Sequence, residues 1–346
     1  MCEALYGNGY RGSPSLDAFA LEPVVTPGRP PVVEVSGNDS PADWVTRYRY
    51  DLQALVIRHG AVLVRGLGVY HVQEVSKVRE RLMPDVMVET EAVARRRVYG
   101  DGVVSSSEWP ADRAMVAHNE LSYALEFPRL MLFVCLGEPV RGGVTTLADT
   151  SAVLEALPAE LVSRFERVGW SVTRNYTDLV GLPWPEAFGT EDPVAVEEYC
   201  VRNGSRYEWF PDGSLYTSQR RSAIVKHPVT GSRCWFNQIA LLNQWSLDET
   251  IRDYLMGDLG ADRLPFNTTF GDGEPIDADT VRTITDVYQS VAVSEPWQRG
   301  DLLIVDNIRM AHGRESYEGD RSLAVVMAGR VRLVDCAPTV NPMPSP

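Results

Sequence analysis

From about residue 113 onward the chain sets short apolar runs between turn clusters: "RLMLFVCLGEP", "GSRCWFNQI", "GDLLIVDN" and "RSLAVVMAGRVRLV". Runs of this length and β-branched or aromatic content, spaced by Gly, Pro, Asn and Asp, describe strands of a sandwich or barrel. Two helical stretches interrupt them. "TSAVLEALPAELVSRFERV" offers Thr150 or Ser151 as an N-cap, and "DADTVRTITDVYQSV" offers Asp277 or Asp279. Upstream, "PADWVTRYRYDLQALVIRHG" places Trp44, Tyr48, Leu52 and Leu55 at helical spacing. "AVLVRGLGV" then reads as a buried strand and "VQEVSKVRERLM" as a second helix. The expected fold is mixed and mainly β, with N-terminal helices packed on a β core.

The Pro- and Gly-rich segment 1–40 is expected to run extended over the surface, residues 41–335 to form a single domain, and 336–346 to fray. Residues 170–220 show no clear period but carry Trp170, Tyr176, Trp184, Phe188, Tyr199, Tyr207, Trp209 and Phe210. A long aromatic loop in a compact domain points to a cover over a site. "SSSEWPADRAMV" (Ser105 to Val116) is a second candidate lid.

The totals exclude several classes. No run approaches the roughly eighteen apolar residues of a membrane span, and the N-terminus lacks the layout of a secretion signal, so a cytoplasmic location is expected. The five cysteines form no CxxC pair, which argues against a zinc ribbon or dithiol centre. A net charge of −14 repels a phosphate backbone and makes nucleic acid a poor partner. The exception is "ARRRVYG", where Arg95, Arg96 and Arg97 form either a solvated face or a docking or substrate-facing patch.

With only five histidines, the segment "VAHNELSY" is notable for spacing His118 two residues from Glu120. In a strand such residues project from one face. His59, His71 and His227 are also available, but His312, in "VDNIRMAHGRESYEGDR" just past an apolar strand, is the best-placed third ligand. Two histidines and a carboxylate form the facial triad of non-heme Fe(II), with positions left open for co-substrate and oxygen. The same pair also suits a buried histidine satisfied by a carboxylate. Arg321 adds weight: an arginine starting a buried strand needs an anion, and its fork grips a carboxylate at two points. The hydroxyl of Thr145, in "RGGVTTLAD", is suited to bond the same anion.

"HNELSYALEFPRLMLFVCLGEPVRGGVTTLAD" and "GDLLIVDNIRMAHGRESYEGDRSLAVVMAG" together resemble the taurine dioxygenase superfamily of Fe(II)/2-oxoglutarate oxygenases, in particular its syringomycin-type hydroxylase branch. Clavaminate synthase, which also has Glu in this motif, is a more distant likeness. The resemblance runs over about residues 60–330, through "RNY" at 174–176, "FGTEDPVAVEEYC" at 188–200 and "KHPVTGSRCWFN" at 226–237. It implies a double-stranded β-helix (a jelly roll) with the metal in its mouth.

Carried over, the resemblance makes His118, Glu120 and His312 the iron ligands, and Arg321 with Thr145 the grip on the distal carboxylate of 2-oxoglutarate. Arg314 would orient the site or substrate; His227 would be structural, and Asp306 and Asn307 turn or supporting residues. Halogenating relatives have a small residue where this chain has Glu120, so hydroxylation, or a related C–H oxidation such as desaturation or cyclisation, is expected. Val325 stands where taurine dioxygenase has a second arginine, and Ser151 and Asn243 stand near the branch's Arg and His. The substrate is therefore expected to differ from theirs: an amino acid or amino-acid-derived intermediate of natural-product biosynthesis, free or tethered to a carrier protein. Homo-oligomers are compatible with the sequence. The other readings are a zinc-dependent hydrolase or isomerase on a β-barrel and a non-catalytic small-molecule-binding barrel.

Overall fold

The computed structural model describes residues 20–342, except 179 and 261–262. The first 19 residues of the expected extended segment, and 343–346 of the expected tail, lie outside the described residues.

The helix Pro41–His59 begins where Ser40 accepts from the Asp43 amide and ends at Gly60, whose φ of 81° turns the chain into the strand Ala61–Arg65. That strand joins an eight-stranded sheet ordered Val32–Glu34, Ala61–Arg65, Leu302–Asp306, Glu126–Gly137, Ser322–Arg332, Val103–Ser105 and Val98–Gly100. The pair Val86–Met87 also joins Ser322–Arg332. Part of the segment expected to be merely extended is thus an edge strand, Val32–Glu34, pairing parallel with Ala61–Arg65.

The central strands read as unbroken apolar runs because both faces are covered. Leu132, Val134, Ala324, Val326, Leu302 and Ile304 pack under the helices Pro41–His59 and Val72–Leu82. Their alternates, Phe133, Cys135, Leu323, Val325, Leu303 and Val305, face the opposite core. On that side lies a four-stranded sheet ordered Ala292–Ser294, Thr145–Asp149, Met310–Arg314 and Met115–His118. With 29% helix against 31% strand, the fold is mixed, and strand exceeds helix only slightly.

Residues 170–220 are not the irregular loop expected. They form the strands Trp170–Tyr176, Ser205–Trp209 and Leu215–Arg221 and the helix Pro193–Arg202; Phe266–Phe270 completes a four-stranded sheet. The period was hidden because many inward positions are polar. Arg174, Asn175, Thr217, Gln219 and Arg221 are all buried. Glu91 meets this sheet with its carboxylate, which accepts from Tyr176 Oη at 3.0 Å, Tyr199 Oη at 3.2 Å and Gln219 Nε2 at 3.2 Å. The stretch 336–342, expected to fray, is pinned: Val340 and Ser222 exchange hydrogen bonds of 2.9 and 3.1 Å.

One close approach sets the spacing of the smaller sheet. A Cβ on Gly313 would lie 2.7 Å from the Met115 carbonyl oxygen and 2.8 Å from Thr146 Oγ1. Gly313→Ala is therefore expected to push Met115–His118 away from Met310–Arg314, at a cost of about 1–3 kcal/mol. Urea denaturation midpoints check this and are expected to fall.

Candidate active site

The strand Met115–His118 ends on His118, and the chain turns immediately. Glu120 is therefore delivered by a turn and not by continued strand alternation, which corrects the expected route to its placement. Asn307 holds that turn. Its Oδ1 accepts from the Glu120 amide at 2.7 Å, and its Nδ2 donates to the carbonyls of Glu120 and Pro128 at 3.0 and 2.9 Å. The Asn119 amide side chain donates back to the Asn307 carbonyl at 2.6 Å. Just past the turn, Leu121 adopts a φ of 53°, a strained conformation for a branched residue.

His312 sits directly opposite His118 in the antiparallel pair, with ring centroids 4.6 Å apart. Its Nε2 lies 3.7 Å from Glu120 Oε2. Ligand atoms of His118, Glu120 and His312 all fall within 4.8 Å of one another, and all three residues are buried. The cavity they line, about 40 Å³, has apolar walls that include Phe133, Leu323 and Val325. Among the described residues, these three form the only such group of metal-ligating side chains.

The protonation states suit a cation. His118 Nδ1 lies 2.9 Å from the Val116 carbonyl, which can only accept, so Nδ1 carries the proton and Nε2 is left free as a ligand. Burial, then the neighbouring His312, lower the His118 pKa to about 4, which keeps the ring neutral. Burial alone would raise Glu120, but Arg96, followed by His312 and His118, outweighs it and holds the carboxyl well below the usual range. Two imidazoles and one carboxylate form a donor set that fits a divalent transition metal.

Arg321 reaches the same cavity. Its Nε donates to the Gly143 carbonyl at 2.7 Å, and Nη2 lies 3.4 Å from Thr145 Oγ1. Among the described residues no carboxylate pairs with it. Burial, then Arg314, lower its pKa to about 10, the mark of a cation without an anion beside it. Arg314 is differently placed. Its guanidinium donates to the carbonyls of Trp109, Pro110, Arg113 and Glu315, at 3.3, 2.6, 2.6 and 3.2 Å. It ties the 105–116 loop to the His312 strand. That loop supplies one wall of an open cleft of about 530 Å³ at the mouth, where Tyr317 and Arg321 also lie. No described residue of 170–220 lines the cavity of His118, Glu120 and His312.

His227 pairs with Asp306 at 2.9 Å, and Asp306 also caps the Ile308 and Arg309 amides. Ser151 bonds the Arg233 carbonyl, and Asn243 bonds Thr268. His59 ends one helix and His71 caps another. None of these lines the metal cavity. The residue missed from sequence is Arg96, whose Nη2 lies 2.9 Å from Glu120 Oε2. Its signal was a basic run a few residues after the acidic "ETE".

Comparison with known proteins agrees with this geometry. Residues 27–327 match the family described as taurine catabolism dioxygenase TauD, TfdA family. The chain belongs to the TauD/TfdA dioxygenase family. It is 33% identical to the dapdiamide synthesis protein DdaC of Enterobacter agglomerans, over 90% of this chain and 94% of that protein. It is 28% identical to a clavaminate synthase-like protein of Arabidopsis thaliana, over 79% and 82%. Among solved structures, PvcB, an Fe, alpha-ketoglutarate dependent oxygenase from an isonitrile synthetic pathway, superposes with a TM-score of 0.51 at 16% identity, covering 94% of this chain and 98% of that one. A taurine dioxygenase from Burkholderia xenovorans gives 0.51 at 14% identity, covering 86% of each. As a TauD/TfdA member the protein is an Fe(II)/2-oxoglutarate-dependent dioxygenase, with O2 as second co-substrate. Zinc hydrolysis and non-catalytic binding are set aside. No described helix is long and apolar enough to cross a membrane.

The shifted pKa values predict how the metal-free protein responds to acid. Unfolded His118 takes a proton near its ordinary 6.5, whereas the folded ring resists until about 4. Unfolded Glu120 likewise protonates near 4.5 while the folded group stays ionised. In both cases the unfolded state binds more protons, so these two groups make stability fall as pH drops from 6.5 towards 4 and below, against an opposing contribution from Glu89, whose carboxyl is raised by burial to about 6. Urea midpoints with chelator present, measured across that range, check it; His118→Asn is expected to flatten the upper part of the slope.

Proposed function

We propose that His118, Glu120 and His312 hold Fe(II), and that Arg321 and Thr145 grip the distal carboxylate of 2-oxoglutarate. The observation that carries this reading is the placement of an arginine, without a carboxylate partner among the described residues, in the same cavity as two histidines and a carboxylate. Iron, 2-oxoglutarate and O2 supply the oxidising chemistry that breaks an unactivated C–H bond. The chain's own residues do the rest. Arg321 orients the co-substrate by two-point contact, Phe133 and Val325 exclude water, and Arg314 anchors the mouth loop without touching the co-substrate itself.

We read the two facing sheets as the halves of a jelly roll, within one domain spanning 41–335. Glu120 fills the position that halide would need, so the outcome is hydroxylation, desaturation or cyclisation. Similarity to a dapdiamide synthesis protein supports a role in natural-product biosynthesis; we read the substrate as an amino acid or amino-acid-derived intermediate, free or carrier-tethered. Val325, an apolar residue on the cavity wall, is unsuited to gripping a sulfonate.

The test is succinate release that requires Fe(II), O2 and a substrate, screened over free amino acids and carrier-bound aminoacyl thioesters. Glu120→Ala is expected to abolish it; full turnover by that variant would refute the ligand assignment. Arg321→Ala, which removes a charged two-point contact, is expected to raise the KM for 2-oxoglutarate by about 10- to 100-fold.

A further inference from the structure

The three consecutive arginines before the strand Val98–Gly100 have separate fates. Arg95 points outward to the exposed Glu186 at 2.6 Å, and Arg97 stacks over Tyr99 with its guanidinium carbon 5.5 Å from the ring centroid. Arg96, between them, turns inward as alternation in extended chain requires. Its side chain is 10% exposed and lies between two carboxylates, with Nε 3.0 Å from Glu89 Oε2 and Nη2 2.9 Å from Glu120 Oε2. Nη1 lies 3.4 Å from the Ser105 carbonyl, at the start of the mouth loop.

The loop that presents Arg96 is itself held. Glu91, at a φ of 63°, anchors it through the carboxylate contacts described above and through its carbonyl, which accepts from Arg174 Nη1 at 2.7 Å and Tyr123 Oη at 2.9 Å. A non-glycine residue in the left-handed region persists where its surroundings over-determine it. Arg96 is thus not free to follow Glu120; Glu120 must follow Arg96.

The oxygen that Arg96 holds, Oε2, is the one 3.7 Å from His312 Nε2. A carboxylate free to rotate can chelate a metal through both oxygens and close a coordination position. One pinned by a guanidinium presents a single oxygen. We infer that Arg96, backed by Glu89, is a positioning residue that holds Glu120 as a one-oxygen ligand and so keeps the open coordination positions open. The inference rests on the metal assignment proposed above and adds a specific role for a residue that does not touch the metal.

The test uses the full-length protein, freed of metal and titrated anaerobically with Co(II), whose visible spectrum reports coordination number. Calorimetry measures affinity, and circular dichroism confirms folding. Arg96→Lys keeps the charge but lacks the fork that bridges two carboxylates. The paired substitution Glu89→Gln with Arg96→Gln removes the cation together with one of its two partners. Each is expected to bind Co(II) about 10- to 100-fold more weakly and to shift its absorption bands; the anaerobic Fe(II)–2-oxoglutarate charge-transfer band is expected to shift likewise. Folded variants that lose only thermal stability, with wild-type Co(II) affinity and spectrum, would overturn the inference. Glu120→Ala separates the two levels: if it too leaves Co(II) binding unchanged, the metal assignment fails before the question of Arg96 arises.

Discussion

The site depends on one register. Met310–Arg314 pairs with Met115–His118 so that His312 lies directly across from His118. A slip of one residue would turn His312 away from the cavity and bring Ala311 or Gly313 to its place. Two constraints guard that register. Gly313 lets the strands approach where any side chain would meet the Met115 carbonyl, and Asn307 ties the turn after His118 to the turn entering the His312 strand. The arrangement of His118, Glu120 and His312 is therefore a property of the backbone.

Electrostatics complete what the register begins. In the small buried cavity that His118 and Glu120 share, burial disfavours the charged form of both. That keeps the His118 ring neutral. For Glu120 the opposite is needed, and the Arg96 guanidinium supplies it. The chain Glu89–Arg96–Glu120 alternates charge across the cavity wall, so each of these three ions has a counterpart. Arg321, by contrast, is a half-buried cation paired only with a carbonyl and a hydroxyl. It is the feature most in need of an anionic ligand.

Much of this was legible in the sequence, for identifiable reasons. His118, Glu120, His312, Arg321 and Thr145 stood out because histidines are few and a charged residue starting an apolar strand needs an explanation. The helix Pro41–His59 announced itself by the helical spacing of Trp44, Tyr48, Leu52 and Leu55. Three things were hidden. Strands 170–176 and 215–221 place Arg174, Gln219 and Arg221 inward, which erases the alternation a strand normally shows. Arg96 looked like part of a surface run, because its partner Glu120 is 24 residues away and nothing local marks the pairing. Arg314 looked placed to orient the site or substrate, although its guanidinium is taken up by three carbonyls of the folded loop and that of Glu315.

The most direct test is crystallographic. Crystals grown without oxygen from protein loaded with Fe(II) and 2-oxoglutarate, measured at the iron absorption edge, would locate the metal by its anomalous signal. The account predicts a single peak within bonding distance of His118, one oxygen of Glu120 and His312, with the distal carboxylate of the keto acid against Arg321 and Thr145. A peak elsewhere, or a keto acid whose distal carboxylate lies away from Arg321, would contradict it.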